Sequence, residues 1–332
     1  MKHVTTTILL AALAFASTAT GEGADGAADE KVSLKIAPKP GLYELVAKND
    51  VDQTLDIVGG PTQRSANTTT MTMRMDVSKP DEDEQQTMQL TFTRFAQVNR
   101  QGNRVVMKYD SADPPKQQNP QMKKAFGPLL DATLTFTVSA DGEVVKIAGL
   151  DELWEAYEKQ FGDNPQGKQI MAQLKQSFGN EALRKMMQPG QEALPDEPVA
   201  VSESWEARQE VAAPFVGKMS VSTTAQLAEI EKRDGHTMAI VDIQGNFERD
   251  ETDDGGQAPE GVTFKTLEGT QNGQIVVDTE VGIAVEMSMT QDMAAEASVR
   301  DPSGNPHKMT ISQKTVMSSS MSPVSEDEGD EE

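Results

Sequence analysis

A chain of 332 residues can bury a sizeable core, and with no cysteine it must hold that core without disulfides or thiolate metal sites. Its net charge of −23 argues against nucleic acid and anionic lipid surfaces, which both select Lys/Arg patches. The missing cysteine also excludes acylation at a lipoprotein cleavage site.

Lys2 and His3, then an apolar run from Ile8 to Ala16, predict a secretory signal peptide over residues 1–19, with Ala14-Phe15-Ala16 or Ser17-Thr18-Ala19 before the cut. The run is shorter than the roughly 20 residues of a membrane-spanning helix, and no later stretch is long and apolar enough. The expectation is an exported, soluble protein, periplasmic or extracellular, with no transmembrane anchor. Residues 20–31 are Gly/Ala/Asp/Glu-rich and read as a flexible leader.

A single β-rich domain is expected over residues 32–324, with strand patterns in two halves, 42–149 and 202–318. In the first half the candidate strands are Leu42–Val46, Asp52–Val58, Thr69–Val77, Thr87–Val98, Arg104–Tyr109, Ala132–Ser139 and Val144–Ile147. Thr70-Met71-Thr72-Met73-Arg74-Met75-Asp76-Val77 shows the alternation most clearly. Successive strand side chains point to opposite faces, so Met71, Met73, Met75 and Val77 share one. Met88/Leu90/Phe92, Leu134/Phe136/Val138 and Val285/Met287/Met289 repeat it. Arg100-Gln101-Gly102-Asn103 and Ala140-Asp141-Gly142-Glu143 signal tight turns, and Pro114-Pro115 to Pro120 a longer loop.

The period then changes. Leu150, Leu153, Trp154, Tyr157 and Phe161 fall at helical spacing, as do Ile170, Leu174 and Phe178, and Glu181–Met187 reads as a third short helix. Residues 150–188 are thus a helical insert. The strand pattern returns at Ser204–Val211, Lys218–Ile230, Thr237–Phe247, Val262–Thr270, Gln274–Thr279, Ile283–Met293 and His307–Met317. Residues 325–332 form an acidic, disordered tail.

The halves look alike. Gln97–Val106 matches Glu229–Met238, and Asp141–Val145 matches Asn272–Val276, each pair carrying a Gly turn before a buried strand. This points to an internal duplication, with convergent hairpin chemistry as the alternative. The fold class is mainly β with a helical insert (α+β). A large curved antiparallel sheet, or unclosed half-barrel, wraps two or three central helices that cover its apolar face.

No constellation carries chemistry. There is no Gly-x-Ser-x-Gly elbow, Walker loop, dinucleotide fingerprint or His-Glu-x-x-His. His236 and His307 read as solvent-exposed loop histidines. No catalytic residue, metal site or cofactor is assigned, and the chain is read as not an enzyme. Methionine is enriched, at 18 residues. Met71, Met73 and Met75 stand roughly 7 Å apart along one strand face. Thioethers suit Cu(I), a minor reading, but an unbranched Met also fills a broad apolar face. Trp154, Tyr157 and Phe161 anchor the helix to the sheet or line a cavity mouth.

Val138–Leu153, Phe178-Gly179-Asn180-Glu181-Ala182-Leu183, Leu194-Pro195-Asp196-Glu197-Pro198-Val199, Val201-Ser202-Glu203-Ser204-Trp205 and Gly282-Ile283 together resemble an uncharacterised family of exported bacterial proteins, a domain of unknown function. That resemblance implies no activity. The order of elements is also similar to that of periplasmic lipoprotein carriers, which implies an open sheet sheltering an acyl chain.

The leading expectation is a non-enzymatic binding protein for an apolar ligand, a lipid or lipoprotein acyl chain. Its cavity would be lined by Met71, Met73, Met75, Met88, Phe92, Phe136, Trp154, Tyr157, Met287 and Met289. The alternative is a structural or interaction module of the envelope, with a protein partner and no ligand.

Overall fold

The structure is a computed structural model and describes residues 31–114, 116–130, 132–140, 143–161, 171, 175, 179–180, 183, 194–195, 197–213, 217–249, 262–300 and 305–324. In chain order the strands are β1 (Gly41–Ile57), β2 (Gln63–Val77), β3 (Gln86–Gln101), β4 (Arg104–Asp110), β5 (Thr133–Val138), β6 (Val144–Ala148), β7 (Ser204–Ala213), β8 (Gly217–Arg233), β9 (His236–Arg249), β10 (Val262–Asp278), β11 (Ile283–Arg300) and β12 (Pro306–Pro323). Helices α1 (Pro120–Leu130) and α2 (Leu150–Phe161) lie in the first half. All pairings are antiparallel, in one sheet ordered β6-β5-β3-β2-β1-β12-β11-β10-β9-β8-β7, with β4 beside β3. The path ends at β6 and β7, so the sheet is open. The first and last strands meet in its middle, in unbroken register from Tyr43↔Pro323 to Ile57↔Met309.

Two pairs of predicted strands are each one continuous strand. Leu42–Val46 and Asp52–Val58 are one strand, β1, and Val262–Thr270 and Gln274–Thr279 are one strand, β10. The pattern breaks in both places because inward positions are polar or lack a side chain: Asn49 in β1, Gln271 and Gly273 in β10. The second correction bears on the duplication. Asn272-Gly273 lies inside β10 and makes no turn. The other turn pair is present: Gly102 (φ 56) between β3 and β4, and Asp234-Gly235 (φ 53 and 88) between β8 and β9. Two successive positive φ values give the primed turn that matches strand twist.

A β-bulge at Thr72/Met73 shifts the β2–β3 register, pairing Met71 with Phe95 and Met73 with Phe92. Phe92 and Phe95 are therefore both buried although they lie three positions apart.

Helix α1 begins at the end of the predicted Pro114–Pro120 loop and runs through residues to which the sequence pattern assigns no element. The Asn119 side chain accepts from the Gln121 and Met122 N–H groups (2.9 and 3.4 Å), and Pro120 takes the first helical position, where its missing N–H costs nothing. Helix α2 starts at Leu150 as expected, with Asp151 and Glu152 in the first turn favoured by the helix dipole. The remainder of the predicted insert, including Glu181–Met187, lies largely outside the described residues, although Met171 and Leu183 are buried. The signal peptide, the leader up to residue 30 and the acidic tail also lie outside them.

Candidate functional site

Odd-numbered residues of β1, β2 and β12 point to one face, and the registers carry that face across the sheet. Three apolar clusters lie on it. The first joins Met73, Met75, Met88, Phe92, Leu134 and Phe136 to the helix residues Leu129, Leu150, Leu153 and Tyr157. The second joins Trp205, Leu227, Val241, Val277 and Met289 to Leu34, a residue outside the sheet. The third is built, among the described residues, from strand side chains alone, including Met219, Phe247, Phe264, Met293 and Ile311.

Between the first two clusters and the third runs a polar belt. The registers align Asn99, Asn67, Val51, Thr315, Gln291, Gln271, Gly245 and Thr223 in one row from β3 to β8. Buried amides and hydroxyls need partners, and these find each other. Asn67 Nδ2 donates to Asn99 Oδ1 (2.6 Å), and Thr69 Oγ1 donates to Asn67 Oδ1 (2.9 Å). Gln291 Nε2 donates to Gln271 Oε1 (3.2 Å), whose own Nε2 donates to Thr223 Oγ1 (2.9 Å). Gly245 makes that last bond possible: a Cβ there would stand 3.0 Å from Gln271 Nε2 and 2.5 Å from the Ser222 carbonyl oxygen. Asn49 Oδ1, at the border of the belt, is buried without a hydrogen-bond partner.

The predicted residues share this face. Met73, Met75, Met88, Phe92, Phe136 and Tyr157 are buried in the first cluster, and Met71 and Trp154 pack against it. Met289 is buried in the second cluster, and Met287 packs against that one. Trp154 and Phe161 lie 6.1 and 5.8 Å from the Tyr157 ring, and the Tyr157 hydroxyl donates to the Ala125 carbonyl of α1 at 2.9 Å. Burial pushes the Tyr157 phenol up to about 12.

A cavity of about 930 Å³ opens on the opposite face. It crosses β9 to β2, and strand alternation places Asp52, Arg64, Glu248, Glu268, Asp292 and Lys314 along it. None of the ten predicted residues lines it.

His236 departs from the exposed-loop reading. Its Nδ1 lies 2.7 Å from Oδ2 of the buried Asp278. Asp278 Oδ1 also accepts from the Glu280 and Val281 N–H groups, both at 2.9 Å, so this carboxylate caps the β10–β11 turn. Nearby, burial and then the Asp278 charge raise the Tyr43 phenol above its ordinary value. Among the described residues no cluster of three or more His, Asp or Glu side chains could hold a metal ion, and no helix is long and apolar enough to cross a membrane.

The family described as "Family of unknown function (DUF6263)" matches residues 83–284. No curated protein matches the chain. A solved structure described as "Lipid-protein interactions in lipovitellin" is similar at 10% identity and a TM-score of 0.40, covering 87% of this chain. This chain spans only 26% of that one. The Pseudomonas aeruginosa protein OpdQ is similar at 7% identity and a TM-score of 0.21, covering 86% of this chain and 99% of that one. At these scores neither likeness bears on what the chain does.

Proposed function

We propose that this chain, which belongs to the DUF6263 family of unknown function, is an exported, non-enzymatic binding protein for an apolar ligand such as a lipid or acyl chain. The observation that carries the reading is how the apolar face is covered. Helices α1 and α2 lie over its first cluster, and residues outside the strands lie over its second: the extended segment around Leu34, with Leu194 and Val199 beside it. Covers of this kind can part without breaking the strand ladder. Methionine suits such a surface because its unbranched side chain repacks around variable shapes. Native mass spectrometry of the purified protein is expected to show co-purifying lipid, and a fluorescent fatty acid is expected to bind it at one-to-one stoichiometry. A delipidated protein that binds no fatty acid would sink the reading.

The polar cavity favours a second reading, an envelope interaction module. Four carboxylates and two cations line the cavity. Such a site would grip a polar protein segment. Under this reading Arg64→Glu with Lys314→Glu would abolish recovery of a partner that the wild type captures, leaving fatty-acid binding intact.

A further inference from the structure

Residues 32–39 are not a strand of the sheet, yet Leu34 is completely buried in the second cluster with Trp205, Leu227, Val241 and Val277. The segment alternates. Val32, Leu34 and Ile36 turn toward the cluster, while Ser33, Lys35 and Ala37 are exposed. It is fastened at its ends. Val32 and Val199 exchange two backbone hydrogen bonds (2.9 and 3.0 Å) in an isolated bridge. The Lys39 N–H donates to the Val281 carbonyl at 3.0 Å, and the Tyr43 hydroxyl donates to the Lys39 carbonyl at 2.7 Å. Gly282 (φ 75) lets the segment lie close: a Cβ there would stand 2.3 Å from the Ala37 carbonyl oxygen.

We infer that the bed of this strap, across β7 to β10, is the binding site for a linear acyl chain, and that Leu34 is its built-in competitor. The inference rests on the apolar-ligand reading and gives it a place. The bed already accepts an extended apolar chain about one residue wide. A hydrocarbon chain fits it better than a peptide in one respect, having no backbone polar groups to satisfy. Strap and ligand exclude one another, so affinity is scaled by the fraction of molecules whose strap is out.

The absence of cysteine makes the test clean. Val32 and Val199 form a hydrogen-bonded antiparallel pair, whose Cα atoms stand about 5.5 Å apart, within disulfide range. In the full chain carrying Val32→Cys and Val199→Cys, the oxidised form should bind cis-parinaric acid about tenfold or more weakly than the same sample after reduction. Leu34→Ala should bind it more tightly than wild type while being less stable to urea. Equal binding by oxidised and reduced forms would overturn the inference and leave the apolar-ligand reading standing. So would Leu34→Ala binding no more tightly than wild type, the arm that decides if the disulfide variant does not fold. Failure of every form to bind the probe would overturn both.

Discussion

The two halves of the sheet solve one problem differently. In the second half β8 to β12 run 14 to 18 residues each, joined into long ladders. In the first half β4, β5 and β6 shrink to 7, 6 and 5 residues, and the chain they release forms α1 and α2. A sheet face left open to water must be covered. The half with short strands supplies its own helical cover. The half with long strands has a strap over its second cluster, drawn from the segment just before β1. The lesson is that sheet length and cover are alternative uses of chain, and that the more continuous half of the sheet is covered by extended chain rather than by named helices.

The largest effects test whether the halves are one cooperative unit. Phe136→Ala in the first and Leu227→Ala in the second remove fully buried side chains and should each cost about 2–5 kcal/mol. Because β1 and β12 join the halves along their length, both variants should shift one common urea transition. Two separated transitions by circular dichroism would divide the molecule at that seam.

A smaller loss is expected at the strap's contact with the second half. Gly282→Ala would force a left-handed φ of 75° and a clash with Ala37, at about 1–3 kcal/mol. Amide exchange at Val32 and Lys39 should rise with it; unchanged protection there would mean that the strap is held elsewhere.

The helical cover is tested through Tyr157. Tyr157→Phe removes the hydroxyl that donates to the Ala125 carbonyl and should cost about 1 kcal/mol. The folded phenol titrates near 12, above an unfolded value of about 10. Its contribution is therefore full below pH 10 and is lost as pH rises toward 12, since the unfolded chain releases that proton first. Wild type should lose this increment in alkali and Tyr157→Phe should not.

The smallest effect lies at the edge of the first half. Arg94 Nε and Nη2 donate to Asp110 (3.0 and 2.5 Å), and these bonds hold the Asp110 carboxyl below its ordinary value. The stabilisation is present above the unfolded carboxylate pKa and lost as pH falls through the lower folded one. With Arg94 half exposed, Arg94→Met should cost at most about 1 kcal/mol at pH 7, and nothing once Asp110 is protonated. A difference that persists in strong acid would assign the effect to packing of the Arg94 stem.

Much of the fold was legible because alternation is a local property. The Thr/Met run at 70–77 named its own faces, and the Leu150 helix announced itself by period. Helix α1 escapes the pattern, because its one local signal, the cap and first-turn pair Asn119-Pro120, stands at the end of a proline-rich stretch that reads as loop. The candidate site was legible only as an inventory. Met71 to Met289 were placed on one face, but nothing local separates the first cluster from the second, or sets a polar belt beside them.

What the sequence determined by itself is the alternation of faces, the turns at Gly102 and Asp234-Gly235, and the absence of any thiol chemistry. What only the tertiary structure decided is continuity. Asn49 and Gln271 read as interruptions because an inward polar residue, taken alone, argues against a buried strand. Across the sheet Gln271 stands in a row where amide meets amide, Asn49 stands beside it, and the hydrogen bonds in and beside that row join residues 48 positions apart at Gln271–Thr223 and 260 apart at Gln53–Gln313. Hydrogen bonds of that range are invisible to any local pattern, and they turn apparent breaks into the middle of the sheet.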